Sequence, residues 1–179
     1  KLKELVKNLE ILERQVKLET GDQSQDTKLA ALIKIIREKQ ISTRNDSNRK
    51  LIIFTTFKDT AMYLFDELQK RGFSNMAVVT GDKSMVSGEQ FTYPDFEPVL
   101  ERFAPFTKLF MEKEWPDFVP NEDLSDWENF KVWKEVIGRH KSSVEAKLNK
   151  PIDILIATDC LSEGQNLQDA DLVVNYDIH

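Results

Sequence analysis

Only one cysteine, Cys160, occurs in the 179 residues of the chain. An internal disulfide is thereby excluded, and a reducing, cytoplasmic setting is expected. The two histidines, His140 and His179, have no Cys or His partner at metal-ligand spacing, so no structural metal is expected. No apolar run approaches the roughly 18–20 residues that span a bilayer, so a membrane is not among the expected partners. The opening Lys1-Leu-Lys-Glu-Leu lacks the apolar core of a signal peptide. Gly-x-Gly-x-x-Gly, a nucleophile elbow and a Ser-His-Asp ordering are all missing. Gly81-Asp-Lys-Ser matches only the tail of a phosphate-binding P-loop, without its upstream glycine or spacing. Taken alone, the chain lacks the parts for nucleotide hydrolysis.

What is present is globular. The apolar fraction of 40% and the charged fraction of 31% suit one domain with a sizeable core. The net charge of −6 runs against a bulk electrostatic nucleic-acid binder. The charge is uneven, however. Lys and Arg prevail over residues 1–50, whereas Glu112, Glu114, Asp117, Glu122, Asp123, Asp126 and Glu128 crowd together further on. Net charge therefore says little about a local phosphate-binding edge.

Apolar spacing orders the chain into elements. Leu2, Leu5, Val6, Leu9, Leu12 and Val16 form one stripe of a helix over 2–18, followed by a loop around Gly21. Asp26 is placed to cap a second helix with Leu29, Leu32, Ile33 and Ile36 on its apolar face. Residues 1–25 are thus read as an N-terminal helix and linker, and 26–179 as the main domain. Leu51-Ile-Ile-Phe-Thr is a short unbroken apolar run, the pattern of a strand covered on both faces. Asp59 is expected to cap a helix reaching Arg71, with Gly72 at its left-handed end. Met76-Ala-Val-Val completes a strand–helix–strand unit with parallel strands. Val99, Leu100 and Phe103 predict a short helix near Pro98. The segment from about 105 to 150 holds Trp115, Trp127 and Trp133, with Phe110, Phe118, Phe130, Val132, Val136 and Ile137. It is read as an acidic helical insertion whose own small core buries the three tryptophans together. Buried strands resume at Ile154 and Leu172.

All four predicted strands run into small polar residues. These are Thr55-Thr56, Thr80-Gly81-Asp82-Lys83-Ser84, the loop from Thr158-Asp159 to Asn166, and Asp177. In a parallel sheet such positions share the carboxyl edge, where ligands of open α/β sheets bind. Thr, Ser and Gly there offer hydroxyl and backbone N–H donors suited to phosphate oxygens. Any α/β domain has polar residues after its strands, so a single such loop carries little. The long loop beginning at Thr158 carries more. Cys160 is read as a packed core thiol in preference to a reactive thiol at a site edge.

The same segments resemble a known family, the superfamily 2 ATPases of Swi/Snf type. Asp26-Thr-Lys-Leu-Ala-Ala-Leu-Ile-Lys-Ile-Ile is similar to the helix that opens their second RecA-like domain. Lys50-Leu-Ile-Ile-Phe-Thr-Thr-Phe-Lys-Asp-Thr-Ala resembles their fourth motif, and Val78-Val-Thr-Gly-Asp-Lys-Ser the following strand and loop. Val99-Leu-Glu-Arg-Phe-Ala-Pro is similar to their short helix. Ile154 to Asp177, with Ser162-Glu-Gly-Gln-Asn-Leu-Gln, resembles the fifth motif of the RapA-like branch. These segments follow one another in the family's order. The resemblance implies an α/β fold: a RecA-like parallel sheet flanked by helices, carrying the α-helical insertion. It also implies that Thr55, Thr80, Gly81, Thr158 and Asp159 lie along a nucleic-acid backbone, with DNA favoured. Gly164 and Asn166 would face ATP. ATP and Mg²⁺ would be held chiefly by a first RecA-like domain of the same polypeptide.

Three features depart from the family. The chain stops before the arginine-finger motif, the first RecA-like domain is absent, and the Trp-rich insertion is no part of the common core. The fragment alone is therefore expected to be inactive. Two other readings stand beside the motor lobe. One is a non-enzymatic module that docks a protein partner through the insertion; the other is a small-molecule site at the carboxyl edge. The insertion's acidity predicts that it points away from the strand-binding edge.

Overall fold

The computed structural model describes residues 26–43, 48–161 and 165–177. The predicted helix over 2–18 lies outside the described residues. The chain divides into two compact units, Lys1–Arg49 and Lys50–His179. In the first, α1 (Thr27–Ile41) begins as its sequence requires: the Asp26 carboxylate accepts the Leu29 amide at 2.9 Å. Leu29, Ala30, Leu32, Ile33 and Ile36 are its buried positions.

The second unit is built on a six-stranded sheet. Its strands are β1 (Leu51–Phe54), β2 (Met76–Val79), β3 (Ser84–Val86), β4 (Thr92–Tyr93), β5 (Ile154–Ala157) and β6 (Leu172–Asn175), in the order β4-β3-β2-β5-β1-β6. β2, β5, β1 and β6 are mutually parallel, so the parallel core expected from the sequence is present. Within the strand–helix–strand unit, however, β1 and β2 are parallel but not neighbours, because β5 inserts between them. Local sequence sets strand direction through the crossover helix; which strand fills the middle is decided by long-range pairing. β5 takes it with four apolar residues, all fully buried.

Two strands were not expected. β3 and β4 extend the sheet antiparallel beyond β2. The turn into β3 is closed by the Thr80 amide donating to the Lys83 carbonyl at 2.9 Å. The dipeptide inside it, Gly81-Asp82, is a hairpin signature that would have revealed this turn. β6 is less covered than its apolar run implies, with Val173 53% exposed, because it is the edge strand on that side among the described residues.

Alternation sorts the side chains onto two faces. Ile52, Leu155, Ala157, Ala77 and Val79 join Val99, Leu100 and Phe103 of α3 (Glu97–Phe103) in one apolar cluster. α2 (Lys58–Lys70) packs on β2 and β5 and buries Ala61, Leu64, Phe65 and Leu68. It starts one residue before Asp59 and has no side-chain cap. Phe57 occupies the N-cap position, and Asp59 sits in the first turn, favourable to the dipole instead. Gly72 ends the helix at φ +83, the left-handed conformation that glycine adopts without steric cost.

The insertion is helical, with two π-helical segments. Phe106–Met111 is π-helical; α4 (Asp126–Trp133) runs on into a second π segment, Lys134–Gly138; and α5 (Ser142–Leu148) follows. A capping box starts α4: the Ser125 hydroxyl accepts the Glu128 amide, and the Glu128 carboxylate accepts the Ser125 amide at 2.9 Å. The core is Leu109, Phe110, Phe130, Trp133, Ile137 and Val144. Trp115 meets Trp133 edge-on at 5.0 Å, but Trp127 is 44% exposed, so the three tryptophans are not buried together. Trp127 packs on Phe106 and Phe130 at the cluster's rim.

Glu101 of α3, only 5% exposed, ties the insertion to the sheet layer by pairing with Lys113 and Lys147 at opposite ends of the insertion. Burial pushes the Glu101 carboxyl up, but hydrogen bonds from the two ammoniums outweigh it and hold the pKa below the ordinary carboxylate value.

Candidate functional site

The ends of the four parallel strands line up. Phe54 is in register with Ala157 and with Asn175, and Ala157 with Val79. Hydrogen bonding continues one residue further on each side. The Thr158 amide donates to the Val79 carbonyl at 3.1 Å, the Thr55 amide to Ala157 at 3.0 Å, and the Tyr176 amide to Phe54 at 2.8 Å. Thr80, Thr158, Thr55 and Tyr176 therefore leave the sheet side by side, and the predicted polar loops do share one rim.

Along this rim the threonines form a lower tier. Thr55, Thr80 and Thr158 are buried, and their hydroxyls are engaged locally. Thr55 Oγ1 donates to Asp177 Oδ2 at 2.5 Å, and the Thr56 amide donates to the same oxygen at 2.9 Å. Thr80 Oγ1 lies 2.8 Å from Asp82 Oδ1 and 3.0 Å from the Lys83 carbonyl, sharing its proton between them. Thr158 Oγ1 donates to Cys160 Sγ at 3.3 Å. The upper, solvent-facing tier is Gly81, Asp159, Cys160, Asn166 and Asn175, all exposed. Cys160 is thus not the core thiol predicted. It is the middle residue of the short 3₁₀ turn Asp159–Leu161 after β5, and within that turn only Leu161 is buried. Gly164 lies outside the described residues.

Two adjoining cavities open on this edge. One, of about 170 Å³, is lined by Phe54, Thr55, Thr56, Asp159, Asn175 and Asp177. The other, of about 440 Å³, shares Phe54, Asp159 and Asn175 and continues to Ile52, Leu161, Gln165 and Leu167. Asp159 stands at their junction. An ion pair, Lys58 Nζ to Asp82 Oδ2 at 2.5 Å, links the start of α2 to the loop after β2. Lys58 first, and Thr80 second, hold the Asp82 carboxyl below its ordinary pKa.

Residues 135–179 match the profile of the helicase conserved C-terminal domain. The match covers about a quarter of the chain, from the second π segment through β5, the rim loop and β6. It therefore contains Thr158, Asp159, Gly164 and Asn166, the densest part of the candidate edge. Comparison with curated proteins and with solved structures gave no significant match. The mixed α/β architecture, with a mostly parallel sheet flanked by helices, is consistent with a RecA-like helicase C-terminal domain.

Several residues at this edge carry no sequence pattern. Asp169 is buried and accepts three hydrogen bonds: from the Phe106 amide (2.9 Å), the Thr107 amide (3.0 Å) and Thr107 Oγ1 (2.8 Å). Lys108, nearly buried, donates to Gln165 Oε1 at 2.8 Å and to Glu112 Oε2 at 2.9 Å. Apart from Lys108 and Glu112, these partners lie about sixty residues apart, beyond any periodicity argument. They also place the root of the insertion against the loop that lines the larger cavity, so that root does not stand clear of the edge as its acidity predicted.

Proposed function

We propose that this chain is the second motor lobe of an ATP-dependent nucleic-acid helicase or translocase, close to the RapA-like branch of the Swi/Snf-type ATPases. Its carboxyl edge, at Thr55, Thr80, Gly81, Thr158 and Asp159, faces the nucleic-acid backbone, DNA being favoured. Gly164 and Asn166 face ATP held by a first lobe of the parent polypeptide. The observation that carries this reading is the common rim: four parallel strands deliver their polar loops to one line, and the helicase C-terminal match covers the loop richest in donors.

The two tiers suggest a division of labour. The buried threonines fix the shape of the loops, and Gly81 and the residues after Thr158 present the surface. An extended phosphate chain needs a rim without projecting side chains, and Gly81 supplies that between the ends of β2 and β3. Asn166 offers an exposed amide, a group fit to meet a nucleotide from outside. We assign Mg²⁺ and ATP to the first lobe and derive no step through them. In the parent protein the nucleotide supplies the energy of the cycle. The residues described here orient the strand and close over the partner lobe.

The test is binding of the 179-residue chain to a labelled single-stranded oligonucleotide in a salt titration. Backbone contacts predict an affinity that falls with salt, with a log–log slope near −0.7 for each phosphate neutralised. Gly81→Glu has room, since a Cβ at this position meets nothing within 4 Å, and it places a negative charge on the rim. It is expected to weaken binding about tenfold, the cost of one like-charge contact in partly screened surroundings. Absence of binding at low salt, or equal binding by a folded Gly81→Glu variant, counts against this edge. The chain alone is expected to show no ATP hydrolysis; activity above background would contradict that.

A further inference from the structure

We propose that the helical insertion is the brace of the edge loop, with Asp169 and Gln165 as positioning residues for the cleft; the binding arm of this inference rests on the motor-lobe reading. The loop after β5 forms one wall of the larger cavity through Gln165 and Leu167. Two of its polar anchors run to the first helical segment of the insertion. The Asp169 carboxylate takes all three donors offered by Phe106 and Thr107 at the start of that segment. At the next residue, Lys108 holds the Gln165 side chain.

These ties are stiff for a physical reason. Asp169 and Lys108 are at most 9% exposed, so water does not compete well for either group, and a charged acceptor or donor strengthens each bond. The insertion end of the tie is rigid as well. Phe106 presents its amide to Asp169 and its ring to Phe110, Trp127 and Phe130, so one residue belongs to both the tie and the aromatic core. Glu101 ties the insertion to α3 through Lys113 and Lys147. The position of the cleft wall is therefore set by a module inserted some sixty residues earlier in the chain.

The test uses Thr107→Val, Gln165→Leu and Asp169→Asn in the 179-residue chain, with Thr107→Ser as the conservative rescue. Hydrogen exchange reads the loop directly. In Thr107→Val the amides of residues 165–170 are expected to exchange about tenfold faster, the effect of one lost charge-assisted bond, while those of β1 and β5 stay unchanged. Thr107→Ser is expected to restore the wild-type rate, which a general loss of packing would not allow. Oligonucleotide affinity is expected to fall in Thr107→Val and Gln165→Leu and to recover in Thr107→Ser. Should Asp169→Asn fail to fold, Thr107→Val, which removes only one of three bonds, still decides. Unchanged exchange over 165–170 in folded Thr107→Val and Gln165→Leu would overturn the brace. If the wild-type chain binds no oligonucleotide, the motor-lobe reading fails, and exchange alone decides the brace.

Discussion

The sheet layer and the insertion solve the same problem with different materials. The sheet core is aliphatic: Leu51, Ile53, Ile154, Leu155, Ile156 and Val79 are essentially inaccessible, stacked in register across parallel strands. The insertion core is aromatic, with Phe110, Phe130 and Trp133 in mutual contact at centroid distances of 5.7–5.8 Å. β-branched and aliphatic side chains fill the pleat of a sheet that is covered on both sides. A segment of about 45 residues cannot bury much area on so few positions unless each is large, and aromatics bury the most per residue. The sheet therefore holds itself by backbone ladders as well as packing. The insertion depends on a few rings and on polar ties at its root. Damage to those rings should be local to the insertion and large in size.

The largest expected effect follows from this contrast. Trp133→Ala empties the centre of the aromatic cluster and should destabilise the insertion by about 3–5 kcal/mol. Near-UV circular dichroism should lose the tryptophan signal while the far-UV strand signature persists; simultaneous loss of both would mean that the two regions unfold as one. Trp133→Phe should cost clearly less, because the buried indole N–H, which has no acceptor, is removed with it.

Next is the joint between the regions. Glu101→Gln leaves Lys113 and Lys147 without their charged acceptor and should cost about 2 kcal/mol in denaturant unfolding near neutral pH. Because the folded Glu101 carboxyl titrates below its unfolded value, its contribution is complete above about pH 4.3 and is lost as pH falls through the lower, folded pKa. The wild type and Glu101→Gln should thus converge in stability only in acid. A constant difference down to pH 3, or convergence above pH 6, would show that the ion pairs are not the source.

Smaller is the helix start. Ser125→Ala removes the capping box of α4 and should lower stability by about 1 kcal/mol, with Ser125→Asp recovering most of it. Smallest is Lys58→Met. The Lys58–Asp82 pair is half exposed on both sides, so no measurable shift in the unfolding midpoint is expected. A clear loss would mean that this link between α2 and the loop after β2 is structural after all.

The two regions were also unequally legible. Short apolar runs located β1, β2 and β5, and the polar residues after them located the rim, because strand burial and strand ends leave period and composition marks in the chain itself. Asp26 and Gly72 were legible for the same local reason. The three residues of β3 carry little pattern of their own, so only the Gly81-Asp82 turn before them marks it, and the N-cap position lies two residues before Asp59 because Phe57 begins the helix without a side-chain cap. In the insertion, helical spacing was readable, but the exposure of Trp127 was not: hydrophobicity marks a ring for burial without saying which of three rings stands at the rim. At the edge, the threonines were found by type, but their engagement with Asp177, Asp82 and Cys160 depends on partners supplied by other turns.

The α/β class, the parallel direction of four strands and the gathering of their polar ends on one edge are written in local pattern, since each follows from short-range periodicity and the handed geometry of a crossover. Three outcomes come from long-range folding: β5 lies between β1 and β2, the threonines sit beneath the surface of the rim, and Asp169 and Gln165 hang from the insertion. Those outcomes rest on contacts between residues tens of positions apart, where the free energy of pairing is set by what else is already buried, and no window of sequence contains that information.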